Sequence, residues 1–554
     1  MYLDTSTVKQ KNKTYTRHLL RESYRENGKV KHRTIANLSS CSENEVEAIR
    51  LALRHKDDLA TLLSANAQNT TEKQGLSFGA VWLVYSIARR LKIVDALGTT
   101  REGKLALWQV IARVIDQGSR LSAVRLAGSH AACDVLSLKK FNENDLYSNL
   151  DWLAKHQGVI EDRLFKALHP VKKPGLFLYD VTSSYLEGTQ NELAAFGYNR
   201  DCKKGKRQIV IGLLCNADGQ PLSVEVFVGN TQDPKTFSPQ IKKVAERFGA
   251  QEVTFVGDRG MIKSDQITQL NAPPYGFHYI TAITKPQIDA LLEKKVIQLS
   301  LFDQGLAEVK TNEGIRYVLR RNPVRAEEIR KSREDKLNVL RNIIAEQNSY
   351  LKEHPRAKVT VAFRKINERC KKYKMTDWAQ ISVSDRTLAL TIDNDAAIEA
   401  AQLDGCYILK TDLSEINASK EVIHDRYKDL ALVEWAFRTS KTVELELRPI
   451  HVRLATRTRG HVCVVMLAYR IVKELAELWR HLDVTVQEGL DEFTTLCAME
   501  VETEEGVRYN RIPEPRQSIK KLLEAAGVQL PKIFSATGVK VTTKKKLPSR
   551  RKYS

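Results

Sequence analysis

Apolar residues recur at helical spacing through residues 77–170. In AVWLVYSIARRLKIVDAL they fall at i, i+3, i+4 and i+7, and KLALWQVIARVI repeats the pattern. NENDLYSNLDWLAKHQGVIEDRLFKAL offers Asn142 or Asn144 as an N-cap before long amphipathic turns. The spacing predicts an all-helical module. From residue 175 the period shortens and strand-like runs follow at 176–182, 208–215, 222–228, 252–257 and 278–284. Ala217-Asp218-Gly219-Gln220 reads as a hairpin turn between the second and third runs. Residues 234–248 read as a helix before the fourth, and GDRGMIKSDQITQL as a strand end leading into another helix.

Three antiparallel strands, a helix, then alternating strands and helices give the order of an RNase H-like mixed sheet, an α/β fold. Residues 285–420 interrupt it with strands at 307–322, 381–392 and 405–410, a charged helix near 324–353 and a basic stretch to Lys374. A helix over 424–441 follows. The most apolar stretch, HVCVVMLAYRIV at 461–472, is shorter than the roughly 18 residues of a membrane span and contains Arg470. It reads as a core helix.

At the amino terminus, YTRHLLRESYRENGKVKHRTIANL reads as two short strands around a turn at Asn27-Gly28, and residues 64–75 as a polar linker. The resulting division is a basic hairpin region at 1–63, a helical domain at 77–170, an RNase H-like core at 171–284 and 421–480, and an α+β insertion domain at 285–420. A helical region at 481–530 and a disordered basic tail at 531–554 complete it.

Charge narrows the class of partner. A formal net charge of +21 over 554 residues attracts polyanions, with nucleic acid foremost. The eight cysteines include no C-x-x-C pair, which suits reduced thiols of an intracellular protein. The start MYLDTSTVKQKNK has no apolar signal-peptide core. The expected setting is cytoplasmic and nucleoid-associated, with no membrane.

Three acids stand out. Asp180 interrupts the apolar run LFLYDVTSSY, where an ionised carboxylate is costly unless solvated, paired or bound to a cation. Taken alone, an edge-strand Asp explains it equally well. Asp258 follows a buried strand in VTFVGDRG, where flanking glycines permit a tight turn at a strand's carboxyl end; a helix-capping Asp is the plain alternative. Glu434 lies in YKDLALVEWAFRTSK, where a continuous helix puts Tyr427, Glu434 and Lys441 on one stripe with Arg438 beside them. A solvated Glu–Arg pair is its plain alternative. Trp435 reads as core, and Glu187 and Asp201 are further acids near the first block. Together, three such carboxylates suit two Mg²⁺ ions, which prefer oxygen ligands and keep several waters.

The motifs resemble those of insertion-sequence DDE transposases, in the branch with a large insertion between the second Asp and the Glu. That family's signature is Y-x2-R-x3-E-x6-K; Tyr427, Glu434 and Lys441 match it, and Leu430 stands at the arginine position. YDVTSSYLEG, GYNRDCKKGKRQIVIGLL, PLSVEVFVGNTQDPKTF and VGDRG resemble the block from first to second Asp. The resemblance implies that Asp180, Asp258 and Glu434 form the metal-binding catalytic triad with Mg²⁺, Mn²⁺ serving as well. Tyr427 and Lys441 would hold the DNA end, and helix geometry offers Arg438 for a phosphate. It further implies that the hairpin region 1–63 and the helical domain 77–170 bind DNA at the terminal inverted repeats, and that 171–284 and 421–480 form the catalytic core. The protein would cleave at inverted-repeat ends and join the 3′ ends to target double-stranded DNA as a homodimer in a synaptic complex. The competing readings are an RNase H-like nuclease that cuts without joining, and a non-catalytic DNA-binding protein descended from a transposase.

Overall fold

The computed structural model describes residues 1–10, 13–26, 29–54, 70–442, 444–503 and 508–543. The Asn27-Gly28 turn, the first part of the 64–75 linker and the tail beyond Thr543 lie outside the described residues. The chain forms two compact units. One comprises Met1–Arg163, Ser440–Leu447 and Val452–Ser554, the other Leu164–Thr439 and Arg448–His451.

In the first unit, β1 (Tyr2–Gln10), β2 (Lys13–Glu26) and β3 (Lys29–Asn37) form an antiparallel sheet in the order β1-β2-β3. The sequence suggested only the second and third of these strands. The first alternates too weakly to stand out and is defined by its pairing with β2. β4 (Thr70–Ser77) replaces the end of the supposed linker. Its polar sequence TTEKQGLS carries no strand signal, and its pairing partner, Cys497–Thr503, lies far along the chain. Helices at Gly79–Arg90, Arg101–Ile115 and Arg120–Ser129 follow as the periodicity predicts. The helix Ala455–Trp479 buries Val462 to Val472 almost continuously. No helix among the described residues is long and apolar enough to cross a membrane.

The second unit is built on an eight-stranded mixed sheet. Its strands are β5 (Leu176–Tyr185), β6 (Gln208–Asn216), β7 (Pro221–Val228), β8 (Thr254–Gly257), β9 (His278–Ala282), β10 (Ala307–Lys310), β11 (Arg316–Arg321) and β14 (Cys406–Thr411). The spatial order is β10-β11-β14-β9-β8-β5-β6-β7. β5, β6 and β7 are antiparallel neighbours, and β8 and β9 add on in parallel. Gly219, at φ +66°, closes the β6–β7 hairpin where the sequence placed its turn. Phe177, Tyr179 and Val181 of β5 pack with Phe237, Phe255 and Tyr279 in one aromatic-rich core. Each such side chain contributes about 1.5–3 kcal/mol by leaving water.

The interrupting residues divide in two. β10, β11 and β14 continue the main sheet, with β14 antiparallel to β9. Residues between β11 and β14 build their own core. The 31-residue helix Pro323–Glu353, the helix Val359–Tyr373 and the hairpin of β12 (Ala379–Ser384) and β13 (Thr387–Ile392) enclose Leu340, Ile366, Cys370, Trp378 and Leu388.

The carboxyl-terminal region of the first unit is not purely helical. β15 (Cys497–Thr503) and β16 (Arg508–Arg511) lie between helices Val486–Thr494 and Gln517–Ala526. β17 (Ile533–Ser535), within the stretch read as disordered, completes a sheet of order β17-β16-β15-β4. These strands are three to seven residues long, too short for period-two alternation to outweigh the polar residues around them.

Candidate active site

Strand alternation places Asp180. Phe177, Tyr179 and Val181 enter the aromatic core, so Asp180 between them faces the opposite side of the sheet. Tyr179 is locked at its hydroxyl end. Its hydroxyl donates to the carbonyl of Thr236 at 3.1 Å, and it passes so close to β6 that a Cβ on Gly212 would lie 2.2 Å from the hydroxyl oxygen. The apolar run therefore fixes the backbone from which the carboxylate projects.

Asp180 keeps a partly exposed edge, yet the surrounding protein removes most of its water. That burial pushes its carboxyl up to about 7. Asp258 and Glu434 raise it further, against the Val181 amide, which donates to Oδ1 at 2.7 Å, and the Arg200 guanidinium.

Asp258 stands just past the end of β8. Its carbonyl accepts from the amides of Met261 (2.9 Å) and Ile262 (3.3 Å), closing a tight turn. Its Oδ1 accepts from the Arg259 amide at 2.7 Å and from the Tyr427 hydroxyl at 3.3 Å. The next helix, Ser264–Asn271, has Lys263 at its N-cap position, with the Lys263 amide donating to Oε1 of Gln266 at 3.3 Å. Asp258 therefore has no capping duty, and its carboxylate stays exposed.

Glu434 lies on Leu430–Lys441, exposed on its outer side while Val433, Ala436 and Phe437 are buried. The single helix expected over 424–441 is two, Lys420–Lys428 and Leu430–Lys441. The break is local tightening: the Leu432 amide bonds to the Asp429 carbonyl three residues back. Tyr427 and Glu434 thus stand on two helices rather than one. Trp435 is 46% exposed, not core.

Asp180, Asp258, Glu434 and Tyr427 nevertheless line one cavity of about 590 Å³. Arg438 and Lys441 do not line it. Arg438 is exposed one turn beyond Glu434, and Lys441 is buried. Leu430 forms part of the wall. The cavity's cations are Arg259, Lys285 and Lys428. Sequence reading missed them because no spacing relates them to the acids. It also missed Asn322, Cys406 and Tyr407, which the interrupting segment brings to the cavity.

Tyr407 is braced from behind. Its hydroxyl meets Nε2 of His424 at 2.7 Å, and Nη1 of Arg320 donates to the same nitrogen at 2.8 Å. Burial, reinforced by the Arg320 charge, lowers the His424 pKa and favours the neutral ring, whose single Nε2 lone pair the two donors share. The two other acids near the first block have separate work. Glu187 pairs with Lys206 at 2.9 Å, and Asp201 with Arg448 at 2.7 Å.

Among the described residues, no three His, Cys, Asp or Glu side chains close into a metal cage. Asp180, Asp258 and Glu434 share the cavity as an open set. An open set of carboxylates fits a hard divalent cation that keeps several of its waters. The raised Asp180 carboxyl points the same way, because crowded acids with little water are relieved by a cation.

Residues 3–65 match the N-terminal domain of the IS1634 family of transposases, and residues 172–471, more than half of the chain, match the transposase DDE domain. No curated protein matches the sequence. Among solved structures, the chain is similar to a cryo-EM structure of the piggyBac transposase synaptic complex with hairpin DNA. The identity is 8%, the TM-score 0.36, and the match covers 71% of this chain and 69% of that one.

Proposed function

The chain belongs to the DDE transposases of insertion sequences, and from that premise we propose that Asp180, Asp258 and Glu434 are its catalytic triad. The protein is a DNA transposase and DNA is its partner. The observation that carries the assignment is that three acids from three separate elements, β5, the turn after β8 and the helix Leu430–Lys441, line one cavity. The order β7-β6-β5-β8-β9, with the first three strands antiparallel and the last two added in parallel, supports an RNase H-like core. β10, β11 and β14 then extend that sheet.

The three carboxylates would hold divalent cations, Mg²⁺ or Mn²⁺. Bound there, two such ions would supply activation of the attacking oxygen and stabilisation of the leaving oxygen at a phosphodiester. Asp180 contributes a carboxylate fixed by the core beneath it. Tyr427 orients Asp258 through its hydroxyl. Arg259, Lys285 and Lys428 offset the negative charge of the DNA backbone as it enters. Water cuts the phosphodiester at each element end, and the freed 3′-hydroxyl attacks target DNA. Two ends must be brought together, so a homodimer on DNA is the working assembly, acting at the nucleoid.

The test incubates the protein with Mg²⁺ and DNA carrying the repeats that flank its gene, and maps cut and joined products. Asp180→Asn, Asp258→Asn and Glu434→Gln should each abolish cleavage while gel shifts still report DNA binding. Full cleavage by any of the three would remove that residue from the triad.

A further inference from the structure

The sheet β1-β2-β3 has two unlike faces. Register pairs Tyr2 with Arg21, Asp4 with Leu19 and Ser6 with Arg17, and across the other side Arg25 with Val30, Ser23 with His32 and Arg21 with Thr34. Alternation therefore puts Arg17, Arg21, Ser23, Arg25, Ser6 and His32 on one face. Thr5, His18, Glu22, Tyr24, Glu26, Lys31 and Arg33 lie on the other. Side-chain contacts respect the division. On the first face Arg21 bonds to Asp4 at 2.7 Å, and His32 meets Tyr2 and Ser23 at 3.0 Å. On the second, Thr5 meets His18 at 3.1 Å, Arg33 pairs with Glu22 and Lys31 with Glu26.

The faces differ in charge and in cover. The second face neutralises Arg33 and Lys31 through ion pairs with Glu22 and Glu26, leaving Lys29 exposed beside them. It also receives the following helix, Glu43–Arg54, whose Arg50 reaches Thr5 at 3.4 Å. The first face carries Arg17 and Arg25 exposed and without an ion pair among the described residues, with Ser6, Ser23, His32 and Thr34 but also Tyr2, Leu19 and Val30 around them. The three arginines recur every four residues along β2, about 13 Å apart at strand rise. A sheet face of this kind, with cations spread along it and hydroxyl, imidazole and apolar groups between, suits the major groove of a duplex, where strands are one established reading element.

We propose that the face carrying Arg17, Arg21 and Arg25 binds double-stranded DNA, with Arg17 and Arg25 on phosphates and Ser23 and His32 toward base edges, and that the face carrying Glu22 and Arg33 does not. The inference rests on the transposase reading for its choice of ligand. It assigns a face and residues that the reading itself leaves open.

The test uses the full-length protein and DNA bearing the flanking repeats, with binding followed by fluorescence anisotropy across a salt series. Arg17→Gln/Arg25→Gln should weaken binding by about tenfold or more and lower the salt slope by about two. Lys31→Gln/Arg33→Gln removes the same charge from the other face and should change affinity less than about twofold. A photo-crosslinking residue at position 23 should capture DNA, and one at position 24, on the opposite face, should not. Equal losses in the two double variants, or crosslinking from 24 and not 23, would overturn the assignment. If the wild-type chain cuts repeat DNA normally while the faces behave alike, only this inference fails. If it neither binds nor cuts, the transposase reading fails with it.

Discussion

The hydroxyl of Tyr427 donates a hydrogen bond to Oδ1 of Asp258 at 3.3 Å, joining the helix before Glu434 to the turn after β8. Burial, with the Asp258 charge beside it, raises the phenol's pKa, so the hydroxyl remains a donor at any working pH. An outer partner of this kind fixes a metal-binding carboxylate without touching the metal, and its loss costs about 10–100-fold in metal affinity or activity.

Tyr427→Phe should therefore leave DNA affinity near wild type and raise the Mg²⁺ concentration for half-maximal cleavage by about tenfold. Cleavage measured across a Mg²⁺ series decides it. Weakened DNA binding with an unchanged Mg²⁺ requirement would instead make Tyr427 a DNA contact.

Asp180 makes a prediction about stability. Its carboxyl titrates at about 7 in the fold and near 3.9 in an unfolded chain. The folded state holds the proton more tightly, so the contribution to stability is complete below about pH 4 and is lost as pH rises to about 7. Asp180→Asn has no charge to lose. In a chelator it should be more stable than wild type above pH 7, by up to on the order of 4 kcal/mol. The gap should close near pH 4. Urea unfolding at several pH values tests this, and a variant less stable than wild type at pH 8 would refute it. Added Mg²⁺ should stabilise wild type and not Asp180→Asn.

Gly212 bears on the same carboxylate from beneath. Alanine there would place its Cβ 2.2 Å from the Tyr179 hydroxyl and 2.9 Å from the ring carbon that carries it. Tyr179 is fully buried, so it must shift within a filled core. Gly212→Ala should cost about 1–3 kcal/mol and displace Asp180, its neighbour on β5. Cleavage should fall by more than the loss of folded protein explains. Gly212→Ala combined with Tyr179→Phe, which removes the clashing oxygen, should recover part of the stability.

The pair Asp201–Arg448 holds the loop before β6 to the end of β5. The Asp201 side chain is 1% exposed; it meets Arg448 at 2.7 Å and accepts from the Tyr185 amide at 3.1 Å. Arg448→Ala removes the guanidinium from that buried carboxylate and should destabilise by about 3 kcal/mol. Since Arg448 itself keeps some solvent, Arg448→Lys should recover part of the loss. Differential scanning calorimetry of the two variants tests the ordering.

Local pattern by itself was enough for the elements whose signal lies within a few residues. The helices from Gly79 onward, the strands β5 to β9, the hairpin at Gly219 and the buried helix Ala455–Trp479 follow from periodicity and turn residues. The motifs around Asp180, Asp258 and Glu434 named the family. What the chain order could not show was anything decided by partners distant in sequence. β4 is a strand because β15 pairs with it, and β10, β11 and β14 widen the main sheet because β9 offers them an edge. The cavity's cations, and the Tyr407–His424–Arg320 brace behind it, meet only once the sheet is assembled. Burial also moved residues between roles. Asp180 became an acid poised near neutrality, Lys441 was drawn inside and Trp435 was left outside. Periodicity reports which side of its own element a residue takes; what lies opposite that side is fixed by packing between segments far apart in the chain.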